Sequence, residues 1–85
     1  MKWMIDITFK EGSQAEVGKL VQQERQHVVE GKAQGLIDTL YLSAPDAARP
    51  QAWLIVNGDN EEQVRQYLST FPMFPYMTPT IVKLS

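Results

Sequence analysis

The chain of 85 residues has no cysteine and only one histidine, His27. A disulfide framework, a cysteine nucleophile and a multi-histidine metal site within one chain are therefore excluded. It also lacks a Gly-rich phosphate loop and a G-x-S-x-G elbow, the sequence signatures of phosphoryl transfer and of a Ser/His/Asp triad on a nucleophile elbow. Lysine and arginine number eight against ten acids, net charge −2, and they stand singly between acids. Without a basic stripe, nucleic acid is not an expected partner. Met1 to Phe9 carries Lys2 and alternates through Asp6 and Thr8, so it has no continuous apolar stretch of the kind found in a signal peptide or a membrane span. No membrane association is expected, and the expected compartment is the cytoplasm, with which the lack of cysteine agrees.

A chain this short forms one domain and buries only roughly 60–65% of the surface its unfolded form exposes. With no disulfide to compensate, self-association is expected.

The apolar pattern switches period along the chain. Trp3 to Phe9 alternates, with Trp3, Ile5, Ile7 and Phe9 on one face, which is a strand. After Lys10, Glu11 and Gly12, Ser13 and Glu16 read as a capping box for a helix from about Ser13 to Ala33, closed by Gly35. Leu36 to Leu42 reads as a second strand, Ser43 to Gln51 as a loop and Ala52 to Asn57 as a third strand. Asn60 caps a second helix whose Glu61 and Glu62 suit the helix dipole, ending near Thr70. Phe71 to Pro79 holds three prolines and is expected to be irregular, and Thr80 to Leu84 is a last strand. The order βαββαβ predicts an α+β ferredoxin-like fold, a four-stranded antiparallel sheet with both helices on one face. Large apolar groups on both strand faces, such as Leu54 against Trp53 and Ile55, call for a cover on the second face, and a second subunit is the simplest one.

At 100° per residue, Val17, Val21, Glu24, Val28 and Gly31 fall within about 80° of one another on the first helix. A carboxylate therefore points at the sheet. Its burial demands a hydrogen bond, a partner charge or a raised pKa, so Glu24 is either a proton-transfer group or a structural carboxylate tied to a strand or an arginine. His27, one turn on, sits at the edge of the same stripe and is a candidate to share its proton. Arg25 lies on the flank, open to solvent, to a subunit contact or to an anion. Among strand residues Asp6, Asp38, Thr39, Tyr41 and Asn57 form a reserve list, because a slip of one residue turns each to the other face.

The segment Phe71-Pro72-Met73-Phe74-Pro75-Tyr76-Met77 resembles the Leu-Pro-Leu-Phe-Pro-Tyr-Met stretch that ends the second helix of muconolactone isomerases. The likeness runs on through the first strand, the helix carrying Glu24 before Gln34-Gly35, Leu40-Tyr41 and the Asn60-Glu61-Glu62 helix start. It implies the dimeric α+β barrel and a cofactor-free proton shift on an unsaturated lactone in aromatic-acid catabolism. Glu24 matches a glutamate of the family's helix, which implies a catalytic role for it; on that reading His27 assists or orients it and Tyr41, Phe74 and Tyr76 are candidate substrate contacts, with an oligomer contact the alternative for Phe74 and Tyr76. Where the family's isomerases carry basic and aromatic residues, this chain has Leu36, Ile37, Asp38 and Thr39, a departure that argues against muconolactone itself. Two functions remain open: a cofactor-independent isomerase acting on a small lactone or enolisable carbonyl compound, and a non-catalytic small-molecule-binding or assembly module on the same scaffold.

Overall fold

A computed structural model describes residues 1–44 and 46–85. Strand β1 (Lys2–Phe9) lies in the interior of a four-stranded sheet of order β2-β3-β1-β4, with β2 (Ile37–Leu42), β3 (Gln51–Asn57) and β4 (Met77–Lys83). Every pairing is antiparallel. Register sets Trp3, Ile5 and Ile7 opposite Val56, Leu54 and Ala52, and all six are buried. The helices cover this face: Val28 and Gly31 of α2 (Val21–Ala33) and Val64 and Leu68 of α3 (Glu61–Leu68) are buried against it. Full burial of side chains such as Ile5, Leu54 and Leu68 contributes about 1.5–3 kcal/mol each. Trp3 joins the core and donates its indole N–H to the Gly58 carbonyl, 3.0 Å away.

The single first helix expected from Ser13 to Ala33 is split. A short α1 (Gln14–Lys19) ends at Leu20, whose amide donates to the Val17 carbonyl three residues back, and α2 starts from Leu20. Gly18 gives α1 little intrinsic strength to continue through this point. The capping box does not form, because the Ser13 hydroxyl donates to the Lys10 carbonyl instead. At the far end of α2, Gly35 takes φ +76°. Its amide bonds the Lys32 carbonyl and that of Leu36 bonds Gly31, the paired closure that favours glycine at this place. Asn60 caps α3 as expected, its Oδ1 accepting from the Gln63 amide at 2.8 Å.

The proline-rich segment is more regular than expected. Phe74–Tyr76 forms a 3-10 turn, and β4 begins at Met77, so that Pro79 lies inside a strand. The strand tolerates it because β4 is an edge, where a missing N–H can face away from the ladder. Of the expected loop from Ser43 to Gln51, Pro45 lies outside the described residues. Its base is closed by mutual bonds between Ser43 and Gln51.

Among the described residues, the other sheet face has no helix. It presents Met4, Trp53, Ile55, Tyr41 and Val82, of which Tyr41 is 63% and Val82 49% exposed. At one corner Lys2 pairs with Asp38, whose second oxygen accepts from Asn57 at 2.8 Å. Among the described residues no helix is long and apolar enough to cross a membrane.

Candidate functional site

Between α2 and the sheet lies a cavity of about 530 Å³, walled mainly by apolar side chains of every layer: Ile7 and Phe9 from β1, Val21 and Val28 from α2, Leu54 from β3, and Phe71, Met73 and Met77 from the proline-rich segment. Glu24 and Arg25 are the charged side chains that line it among the described residues. Glu24 faces inward because Val28 and Gly31, four and seven residues on, share its helix face and are buried.

Among the described residues the half-buried Glu24 carboxylate has one protein hydrogen bond, accepted by Oε1 from the Met73 amide at 3.1 Å. That amide is available because the turn uses other donors: Phe74 N–H bonds the Phe71 carbonyl and Tyr76 N–H bonds the Met73 carbonyl. Phe71, Met73 and Met77 are buried, and the Lys10 amide on the Tyr76 carbonyl fixes the segment to the end of β1. Burial raises the Glu24 pKa above its ordinary value, partly opposed by the Met73 N–H, which favours the charged form. Oε2 has no protein hydrogen-bond partner among the described residues.

His27 does not line the cavity. The α2 residues that do, Val21, Glu24, Arg25, Val28 and Val29, span about 140° of the helix wheel, and His27 falls about 60° beyond Glu24, toward α3. Its Nε2 lies 2.8 Å from the Thr70 hydroxyl, its ring stacks on Tyr67, and Phe71 meets it edge-on at 4.5 Å. Thr70 donates its hydroxyl proton to the Tyr67 carbonyl, so it accepts from His27, and Nε2 carries a hydrogen. The proton sharing with Glu24 expected from the i+3 spacing is thus not the geometry found: His27 ties α2 to the end of α3.

Tyr41 is also outside the cavity. A β-bulge between Ile37 and Thr39 shifts the phase of β2, turning Leu40 and Leu42 toward the helices and Tyr41 to the open face opposite Trp53. Phe74 is exposed, Tyr76 is half-buried, and neither lines the cavity. The neighbours flanking the 3-10 turn, Phe71, Met73 and Met77, take the inward positions instead. Of the reserve residues, Asp6 accepts from Gln51 at 2.7 Å, while Asp38 and Asn57 bond each other on the open face. Of the residues singled out for chemistry, only Glu24 and the flanking Arg25 reach the cavity.

Residues 1–85, the whole chain, match the family described as muconolactone delta-isomerase. The chain belongs to that family. The muconolactone delta-isomerase assignment is accompanied by two structural likenesses. One is to 5-chloro-2-hydroxyhydroquinone dehydrochlorinase (TftG) from Burkholderia phenoliruptrix AC1100, in complex with 2,5-dihydroxybenzoquinone. Here the TM-score is 0.79 at 14% identity, covering 100% of this chain and 94% of the other. The other is to muconolactone isomerase, with TM-score 0.75 and 20% identity over 99% of this chain and 88% of that one. At these identities the two likenesses establish a shared fold. No curated protein matches the sequence.

Proposed function

We propose that this muconolactone delta-isomerase family member is a cofactor-independent enzyme that moves a proton between carbons of a small lactone or other enolisable carbonyl compound. The observation that carries the reading is a half-buried carboxylate in an apolar cavity, with one oxygen occupied by a backbone amide and the other free of protein donors. Oε2 is the proton-carrying atom. As carboxylate, Glu24 takes a proton from the carbon beside the carbonyl, and the electron pair moves into the conjugated system as an enolate. The neutral acid, half-buried and able to exchange its proton with solvent, then gives a proton to a carbon further along, so no oxidant or cofactor enters the balance. Oε1 accepts from Met73 N–H in both protonation states, which keeps the group aimed while its charge changes.

Burial makes the carboxylate a stronger base than an exposed glutamate, and general acid–base catalysis works best with such a pKa match. His27 enters this reading as a residue that holds α2 against α3 and is given no proton to carry. The activities named for the two structural neighbours, an isomerase and a dehydrochlorinase, both concern small ring compounds and support a substrate of that size. The acidic start of β2 does not count against an acid substrate, since Leu36 to Thr39 do not line the cavity. Self-association through the helix-free sheet face, where Trp53, Ile55 and Met4 stand together, completes the proposal as a dimeric α+β barrel.

The test is exchange of carbon-bound hydrogen for deuterium in muconolactone and simpler butenolides, followed by proton NMR. The protein should accelerate exchange, and Glu24→Gln should lower that rate by about 10²-fold or more. Full exchange by Glu24→Gln would remove Glu24 from the mechanism. A wild-type protein that binds these lactones without accelerating exchange would be a binding module.

A further inference from the structure

We infer that the Ser43 hydroxyl is a catalytic hydrogen-bond donor to the carbonyl oxygen of the ligand, acting from the sheet side of the cavity while Glu24 acts from α2. This deepens the proposed reading and rests on the same cavity being the ligand site. Removing a proton beside a carbonyl sends the electron pair to the carbonyl oxygen, and in a mainly apolar cavity the charge that gathers there needs a donor. Glu24 does not supply it, because in the step that creates the charge its carboxylate is the acceptor of the proton. Among the described residues, the other polar side chains on the cavity walls are those of Arg25, Ser43 and Gln51. Arg25 is exposed, where water weakens its pull. The Gln51 side chain is turned to Asp6, whose Oδ1 accepts from its Nε2 at 2.7 Å. Ser43 is the donor that remains.

Ser43 follows the last residue of β2, where the chain enters the loop that leads to β3, and two bonds fix it there. Its amide donates to the Gln51 carbonyl at 2.9 Å, and its Oγ accepts from the Gln51 amide at 3.0 Å. Among the described residues the hydroxyl hydrogen itself has no acceptor. A half-buried hydroxyl held in this way has its proton to offer to the cavity it lines. Donation by the Gln51 N–H also polarises the hydroxyl, so a chain from Gln51 N–H through Ser43 O–H to the ligand oxygen is stronger than an isolated contact. Both bonds are made to the Gln51 backbone, so the donor is in place before the ligand arrives and needs no reorganisation when the charge appears. Ser43 keeps its proton throughout. Its hydrogen bond shortens as the enolate forms and relaxes when the second carbon takes up a proton and the carbonyl is restored.

Ser43→Ala should slow the hydrogen–deuterium exchange of butenolides by roughly tenfold to a hundredfold, the range for a hydrogen bond to a charged group. The loss should fall mainly on kcat, because the charge develops after binding. Ser43→Thr keeps a hydroxyl and should recover most of the rate, whereas damage from a loosened loop would not follow the hydroxyl. Infrared difference spectra of a butenolide labelled with carbon-13 at the carbonyl read the contact without turnover. Bound to Glu24→Gln, its C=O stretch should lie at lower wavenumber than when bound to Glu24→Gln carrying Ser43→Ala as well. Exchange by Ser43→Ala at the wild-type rate, a Ser43→Thr protein no faster than Ser43→Ala, an unmoved C=O stretch, or a wild-type protein that does not accelerate exchange would overturn the assignment. If Glu24→Gln exchanges fully while Ser43→Ala is slow and the stretch moves, the Ser43 assignment stands and the reading of Glu24 fails; the converse pattern sinks Ser43 alone.

Discussion

Replacing Gly31 by alanine tests the close approach that aims α2. In an exposed helix the change would stabilise the protein by about 1 kcal/mol. Here an added Cβ would fall on the Tyr67 hydroxyl and only 2.7 Å from Ile37 Cδ1, about 1 Å inside the usual carbon–carbon contact distance. Overpacking of this kind costs about 1–3 kcal/mol, and with two side chains obstructing, the upper half of that range applies. The net expectation is destabilisation by about 1–2 kcal/mol, or a fall in Tm of roughly 4–16 °C for a domain of this size. The Tyr67 hydroxyl is buried and finds no hydrogen-bond partner among the described residues, so Tyr67→Phe should be neutral or stabilising. In that background one of the two obstructions is gone, and Gly31→Ala should cost measurably less, by about 0.5 kcal/mol or more. Urea and thermal unfolding followed by circular dichroism, at one fixed protein concentration, complete the cycle. A Gly31→Ala protein more stable than wild type would refute the close helix approach and with it the inward aim of Glu24. Displacement of α2 should also slow exchange, since small misplacements of a catalytic group cost rate steeply.

Glu24 should make stability depend on pH in a particular direction. Because its pKa is raised in the folded state, the native protein holds the proton over a window starting near the ordinary value of 4.5, and stability falls as pH rises through that window and stays lower above it. Glu24→Gln should therefore be more stable relative to wild type at pH 7 than at pH 4 in urea titrations; a pH-independent difference would contradict the buried-carboxylate geometry. On the open sheet face, Trp53→Lys should shift the protein toward monomer in sedimentation velocity with an unchanged far-ultraviolet spectrum, whereas an unaltered assembly would place the contact elsewhere.

Part of the candidate site was legible because its determinants are local. The 100° periodicity put Glu24 on the inner face of α2, and the same arithmetic put Arg25 and His27 on opposite flanks of that stripe. Which flank borders the cavity depends on where α3 packs, and α3 is remote in sequence: it takes the His27 side, leaving the other flank to the cavity. In the proline-rich segment the cavity is lined by Phe71, Met73 and Met77, which flank the 3-10 turn, and not by Phe74 and Tyr76 within it.

The amino-acid order alone determined the order of strands and main helices, though not the break at Leu20 or the 3-10 turn, together with the alternation of β1, the closure of α2 at Gly35 and the cap at Asn60, because each follows from residues within a few positions of one another. Tertiary structure decided the phase of β2, where a bulge beside Asp38 carries Tyr41 away from the cavity, and the bond from Met73 to Glu24 across a long stretch of chain. Such features reflect pairing between distant segments, in which one residue of register reverses a face, and no local pattern encodes that choice.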